Sequence, residues 1–126
     1  MRLLLDTAAL IFAAESPERL SKRAKAALHN SDNLLELSTI SLVELAIKTS
    51  LGKLAISEEA ARQAIEDLGL RVLPFTAEHA FGLFELPRHH GDPFDRQIIA
   101  QALVEKVAVI TPDDKFALYA GVRVIW

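Results

Sequence analysis

The chain contains no cysteine. Disulfides and thiolate metal sites are thereby excluded, and any metal must be held by oxygen or imidazole. No apolar run reaches the roughly 18 residues needed to span a bilayer. No basic start followed by an apolar run and a small-residue cleavage site is visible either, so a cytoplasmic location without membrane contact is the expectation. A large excess of charge of one sign is also missing. A formal net charge of −3 does not advertise nucleic-acid binding, although a bound cation would reverse the local field. Repeats, linkers and low-complexity segments are missing. What is there is apolar. Hydrophobic residues make up 51% of the 126 positions, which argues against disorder and suits one domain, residues 1–126, with a real core.

The pattern alternates short apolar runs with helical periods. Strands are expected at Arg2–Leu5, Leu34–Thr39, Leu70–Phe75, Val107–Ile110 and Val122–Trp126. Between them, Ala8–Ala14 is a helix apolar on every side, with Thr7 as its cap, and needs cover from the core or from another chain. Ser16-Pro17-Glu18 starts a helix whose apolar face is Leu20, Ala24, Ala27 and Leu28, with a basic face at Arg19–Lys25. Ser41 and Glu44 form a capping-box pattern for a helix running to Leu51. Ser57 caps a helix ended by Gly69, and Thr76 caps one reaching Leu86. Alternation of this kind predicts an α/β fold with a mostly parallel sheet of four to five strands covered on both faces.

The most informative stretch is His89-His90-Gly91-Asp92-Pro93-Phe94-Asp95-Arg96. Asp92 reads as an N-cap and Pro93 as the first helical residue, opening a helix to about Lys106. Asp95 then shares a face with Ile98, Ile99 and Ala102, so a carboxylate sits at the open end of a buried stripe, which is costly unless it is paired. Ligands of open parallel sheets bind beyond the carboxyl ends of the strands. Asp6, Glu44 and Asp113 fall just past strand ends or on the helices that follow them, and Asp95 can join them there. Four carboxylates suggest a hard cation such as Mg²⁺ or Mn²⁺. Such an ion activates water and stabilises the charge that grows on phosphate during phosphodiester hydrolysis.

These motifs, in this order, resemble the PIN-domain nucleases. Leu-Leu-Leu-Asp6-Thr7, Ser41-Leu-Val-Glu44, Asp92-Pro-Phe-Asp95-Arg96 and Thr111-Pro-Asp113 carry the likeness across nearly the whole chain. More narrowly they resemble the VapC-type toxins of bacterial toxin–antitoxin pairs, in the subgroup with Asp-Pro-Phe-Asp-Arg. The resemblance implies a PIN-like three-layer α/β/α fold, a Mg²⁺- or Mn²⁺-dependent endoribonuclease acting on RNA, a homodimer and a cognate antitoxin. It implies that Asp6, Glu44, Asp95 and Asp113 are the catalytic, metal-holding acids. Thr111 matches a polar position beside them, and Thr7, Asp92 and Arg96 are candidates for supporting the acids or touching substrate. Asp114, beside Asp113, leaves the fourth acid open.

Each residue also has a plainer reading. Glu44 is a capping glutamate, Asp95 favours a helix N-terminus, Asp113 or Asp114 is a first-turn surface acid, and Lys48 is the i+4 partner of Glu44. Arg96 is equally a substrate-phosphate or a carboxylate ligand, and His89 and His90, which flank the site, are equally RNA contacts or loop residues. A receiver-like Mg²⁺-binding signalling module is the alternative from another class, but Val72-Leu73-Pro74-Phe75 offers no phosphoacceptor acid. A catalytically silent PIN fold is a third reading.

Overall fold

A computed structural model describes residues 1–126. Five strands, β1 Arg2–Leu5, β2 Leu34–Ser38, β3 Arg71–Leu73, β4 Ala108–Ile110 and β5 Val124–Ile125, pair in the order β3-β2-β1-β4-β5. All four pairings are parallel. Parallel strands are buried on both faces, so they read as unbroken apolar runs. Leu3-Leu4-Leu5 is such a run: Leu3 and Leu5 enter one core, Leu4 the other, and all three are wholly buried. Each leucine so placed contributes about 1.5–3 kcal/mol.

The helices make the outer layers. α1 (Thr7–Glu15), α2 (Lys22–His29) and α4 (Glu58–Leu68) cover one face through Ala9, Leu10, Ala24, Leu28 and Ala64. α6 (Pro93–Glu105) covers the other through Ile98, Ile99 and Ala102, with the short α5 (Ala77–Phe81) against it. α3 (Thr39–Ser50) starts at the end of β2 and sends Ile40 into one core and Leu45 into the other. The expected three-layer α/β/α architecture is therefore present, with every strand parallel.

Several boundaries differ from the sequence reading. α1 is capped by Asp6, whose Oδ1 accepts the Ala9 N–H, rather than by Thr7. The segment after Ser16 is a 3₁₀ turn, Pro17–Arg19, and Ser21 caps α2 separately. α3 begins one turn before Ser41, because Ser38 at the strand end accepts the Ile40 N–H. Ser41 is thus inside the helix and Glu44 is no capping-box residue. α4 ends as expected at Gly69, in the left-handed region at φ +63°. α5 stops at Phe81, not Leu86. The Leu86 and Pro87 carbonyls instead accept from the Arg96 guanidinium. α6 starts and ends where Asp92 and Lys106 predict.

One charge lies deep in the sheet. Glu36 on β2 is 0% exposed, with Arg2 Nε at 2.7 Å and Arg71 Nη2 at 2.6 Å from its two oxygens. Arg2 also reaches Glu105, which takes a second bond from His79. His79 Nδ1 accepts the Thr76 N–H, so its Nε2–H is the donor to Glu105 at 2.8 Å. Both arginines are part-exposed and Glu36 is not, so the two sides of the pair are unequal. Replacing Arg2 and Arg71 together by methionine should cost on the order of 3–5 kcal/mol in urea unfolding, since a buried carboxylate is left alone. Glu36→Met should cost clearly less, because the arginines can return to water. Equal losses would refute this asymmetry.

Candidate metal and nucleic-acid site

The strand order reverses between β1 and β4, and the crevice beyond their carboxyl ends is where a ligand of such a sheet is held. Asp6 follows β1 there. Its backbone N–H donates to Ile110 O at 3.1 Å, which joins the ends of the two strands. Its Oδ1 takes the Ala9 N–H at 2.7 Å and its Oδ2 takes the Thr111 hydroxyl at 2.5 Å. Thr111 Oγ1 in turn accepts the Asp113 N–H, turning that residue toward the cleft.

α3 supplies Glu44 from its second turn. Glu44 is 5% exposed; one oxygen is paired with Lys48 and the other, Oε1, is buried with no partner. The Lys48 pair agrees with the plain reading of that lysine. α6 supplies Asp95 from its first turn. Asp92 Oδ1 accepts the N–H groups of Phe94 and Asp95 at 2.9 and 3.0 Å, so Asp92 is the cap. Asp95 is aimed inward with its side chain 19% exposed.

Asp6, Thr7, Glu44, Lys48, Asp92, Asp95 and Asp113 line one cleft of about 230 Å³. Asp114 is exposed and lies outside it. Thr7 donates to Ser41 Oγ at 3.0 Å, tying α1 to α3 at the rim. Arg96, a candidate for substrate or carboxylate contact, turns away and holds the 86–87 carbonyls and the Tyr119 hydroxyl. His90, an RNA contact or a loop residue by sequence, has a partner in the cleft. Its Nε2 lies 3.4 Å from Asp95 Oδ2 and its Nδ1 2.7 Å from the Tyr119 hydroxyl. Nothing local in the sequence joins residues 90 and 119.

Electrostatics follow from burial. Burial pushes the Asp6 carboxyl up to about 7; the bonds from Thr111 and Ala9 oppose this, while Asp95 and Asp113 add to it. Burial likewise raises Asp95, to about 6, with Asp92 and Glu44 as the next causes and His90 opposing. The Glu44 bond raises Lys48 above the ordinary lysine value. As the side chains stand, no three of the acids converge on one point close enough to grip an ion. Both Asp6 oxygens and one Glu44 oxygen are already engaged. The chemistry of the set nevertheless fits a hard divalent cation: all-oxygen donors, an unpaired buried Glu44 Oε1, and carboxyls that raise one another.

Two other concavities, of about 280 and 510 Å³, flank α4 and are mostly apolar. They are larger than the acidic cleft but hold no comparable set of titratable groups. Leu10, Ile11, Ala13 and Ala14 of α1 line the first. Phe12, by contrast, is covered within the chain, with the Arg19 guanidinium 4.0 Å from its ring and Trp126 at 6.0 Å.

Residues 3–122 match the PIN domain family. No curated protein matches the chain by sequence. Among solved structures, VapBC2 of Rickettsia felis bound to a promoter DNA fragment superposes with a TM-score of 0.73 at 20% identity, covering 98% of this chain and 97% of that one. DNA-bound VapBC of Salmonella typhimurium gives 0.72 at 22%, covering 98% and 96%. VapBC-5 of Mycobacterium tuberculosis, described as a toxin–antitoxin system, gives 0.62 at 22%, covering 98% and 97%. At these identities the likeness is one of fold.

A pH dependence follows from the raised carboxyl. The folded pKa of Asp95 lies above its unfolded value of 3.8. Its stability contribution is therefore complete below that value and is lost as pH rises through about 6. Asp95→Asn removes the charge and keeps the size. In EDTA, it should melt like the parent near pH 4 and a few degrees higher at pH 8. A constant difference across that range would contradict the assigned burial of charge.

Proposed function

The chain belongs to the PIN domain family, and from that membership and its acidic cleft we propose that it is a toxin endoribonuclease. It hydrolyses RNA phosphodiester bonds with Mg²⁺ or Mn²⁺ and is neutralised by a cognate antitoxin. The observation that carries this reading is the cleft itself: Asp6, Glu44, Asp95 and Asp113 brought together at the point where strand order reverses. The toxin assignment draws on the toxin–antitoxin context of the similar structures.

In this reading Asp6, Glu44, Asp95 and Asp113 would hold the cation. When bound, it supplies positive charge to a phosphoryl oxygen and lowers the pKa of water. The chain's own groups do the rest. Thr111 and the Ala9 N–H fix the Asp6 carboxylate in one orientation. Asp92 is occupied as the cap that sets the start of α6, and so aims Asp95. Lys48 neutralises one Glu44 oxygen and stands at the rim of the cleft, 33% exposed, where it can meet a phosphate.

Cleavage of mixed RNAs should vanish in EDTA and return with Mg²⁺ or Mn²⁺. Asp95→Asn should lose nearly all activity with the fold intact. Asp92→Asn, which keeps a good cap, should retain a substantial part, and Asp92→Ala should lower stability by roughly 0.5–2 kcal/mol. Undiminished cleavage in EDTA would end the metal reading. Equal inactivity of Asp92→Asn and Asp95→Asn, at parental melting temperature, would end the division of labour between the two aspartates.

The antitoxin is assigned to the apolar groove between α1 and α4, which is lined by the partly buried Ile11 and Ala13 and the exposed Ala14. A homodimer is part of the same proposal, and the sequence pointed to α1 for it. Leu10 is buried, however, and Phe12 already has intrachain cover. Large apolar groups left in water include Phe81 and Phe84 beyond β3, 62% and 85% exposed, and Val43 and Ile47 on α3. The dimer surface is therefore moved there. Phe84→Glu should convert a dimer to a monomer in size-exclusion chromatography without lowering the melting temperature of the monomer. An unchanged elution volume would return the question to α1.

A further inference from the structure

His90 has a more specific role than a loop residue. Tyr119 is 1% exposed and its hydroxyl sits among three nitrogens. The His90 backbone N–H donates to it at 3.3 Å and Arg96 Nη1 at 3.2 Å. The third, His90 Nδ1, is at 2.7 Å. A phenolic oxygen has two lone pairs and one proton. With both lone pairs taken by N–H groups, the proton goes to Nδ1. Nδ1 is then an acceptor and the neutral ring carries its hydrogen on Nε2.

That Nε2–H is buried and has no hydrogen-bond partner. The His90 side chain is 9% exposed, and the carboxylate oxygen paired with its Nε2 is Asp95 Oδ2, at 3.4 Å. This is long for an N–H···O bond, and a shift of a few tenths of an ångström makes it an ordinary one. Besides the ring's bond to Tyr119, the loop is fastened by Arg96 on the Leu86 and Pro87 carbonyls and by the Asp92 cap. What the ring adds is a donor of fixed tautomer facing a carboxylate of the cleft.

We infer that His90, locked in its Nε2–H tautomer by Tyr119, is a positioning residue that holds the Asp95 carboxylate in one orientation toward the cleft. This rests on the reading of Asp95 as a cation ligand. Ligand carboxylates that are themselves hydrogen-bonded lose less freedom when they bind, and removing such a partner typically weakens metal affinity about 10–100-fold.

The test uses the whole chain and has two readouts. Imidazole ¹⁵N spectra of the metal-free protein report the tautomer. The parent should show Nε2–H, and Tyr119→Phe, which keeps the ring, should show a mixture. Calorimetric titration with Mg²⁺ reports affinity. His90→Leu should bind at least about tenfold more weakly, whereas His90→Gln, whose amide nitrogen lies near the Nε2 position, should stay within about threefold. A role in loop folding alone would move neither the tautomer nor the contrast between Gln and Leu. An Nδ1–H tautomer in the parent, or equal Mg²⁺ binding by parent and His90→Leu, overturns the inference and leaves the metal reading standing. Absence of Mg²⁺ binding by the parent overturns the metal reading and the inference with it. Should His90→Leu fail to fold, the tautomer of the parent and the Mg²⁺ affinity of Tyr119→Phe, expected to fall, decide the matter.

Discussion

A single buried carboxylate organises the carboxyl edge of the sheet. Asp6 donates its backbone N–H to the end of β4, gives its carbonyl oxygen to the Leu10 N–H, caps α1 with one side-chain oxygen and binds Thr111 with the other. One residue thereby fixes the relative positions of two strands, a helix and the turn that carries Asp113. Those hydrogen bonds favour the charged form, yet burial outweighs them and pushes the carboxyl up to about 7. Local donors therefore offset only part of the cost of burying its charge. Asp95 and Asp113 deepen the deficit, so the geometry that makes the fold rigid also leaves the cleft short of positive charge.

The two ends of the sheet solve the same problem differently. Glu36 is as deeply buried as Asp6, but two guanidiniums satisfy its oxygens. Breaking that arrangement is costly, and nothing about it invites a ligand. At the other edge, several carboxylates share one lysine, tied to Glu44, and one imidazole, long of Asp95. Burial alone does not distinguish a structural charge from a functional one. The count of fixed cations around it differs between these two places: two guanidiniums serve Glu36 and none touches Asp6.

Local signals in the sequence suffice where one turn of chain contains the whole interaction. Asp92-Pro93 and Asp95 are of this kind: cap, first helical residue and inward carboxylate are all set within four residues. The leucine run of β1 announced a parallel strand for the same reason. They fall short where two residues compete for one role and a distant contact decides. Ser38 and Ser41 are both good caps; the end of β2 selects Ser38, and Ser41 instead meets Thr7. Asp113 and Asp114 are indistinguishable by type, and the Thr111 hydroxyl on the Asp113 N–H selects which one faces the cleft. Phe12 looked uncovered because its cover includes Trp126, at the other end of the chain.

The loop before α6 shows how such distant contacts create chemistry rather than merely adjust boundaries. Arg96 follows Asp95 and is by sequence an equal candidate for phosphate, yet its guanidinium is engaged elsewhere. It takes two loop carbonyls and the Tyr119 hydroxyl. By donating to that oxygen it uses a lone pair, and the His90 N–H uses the other. The phenol is left with only its proton to offer, which removes the choice of tautomer from His90. An arginine that touches neither the cleft nor any carboxylate thus determines which imidazole nitrogen carries hydrogen toward Asp95. The Asp-Pro-Phe-Asp-Arg stretch therefore places two acids directly and acts on one of them a second time, through Arg96, Tyr119 and His90.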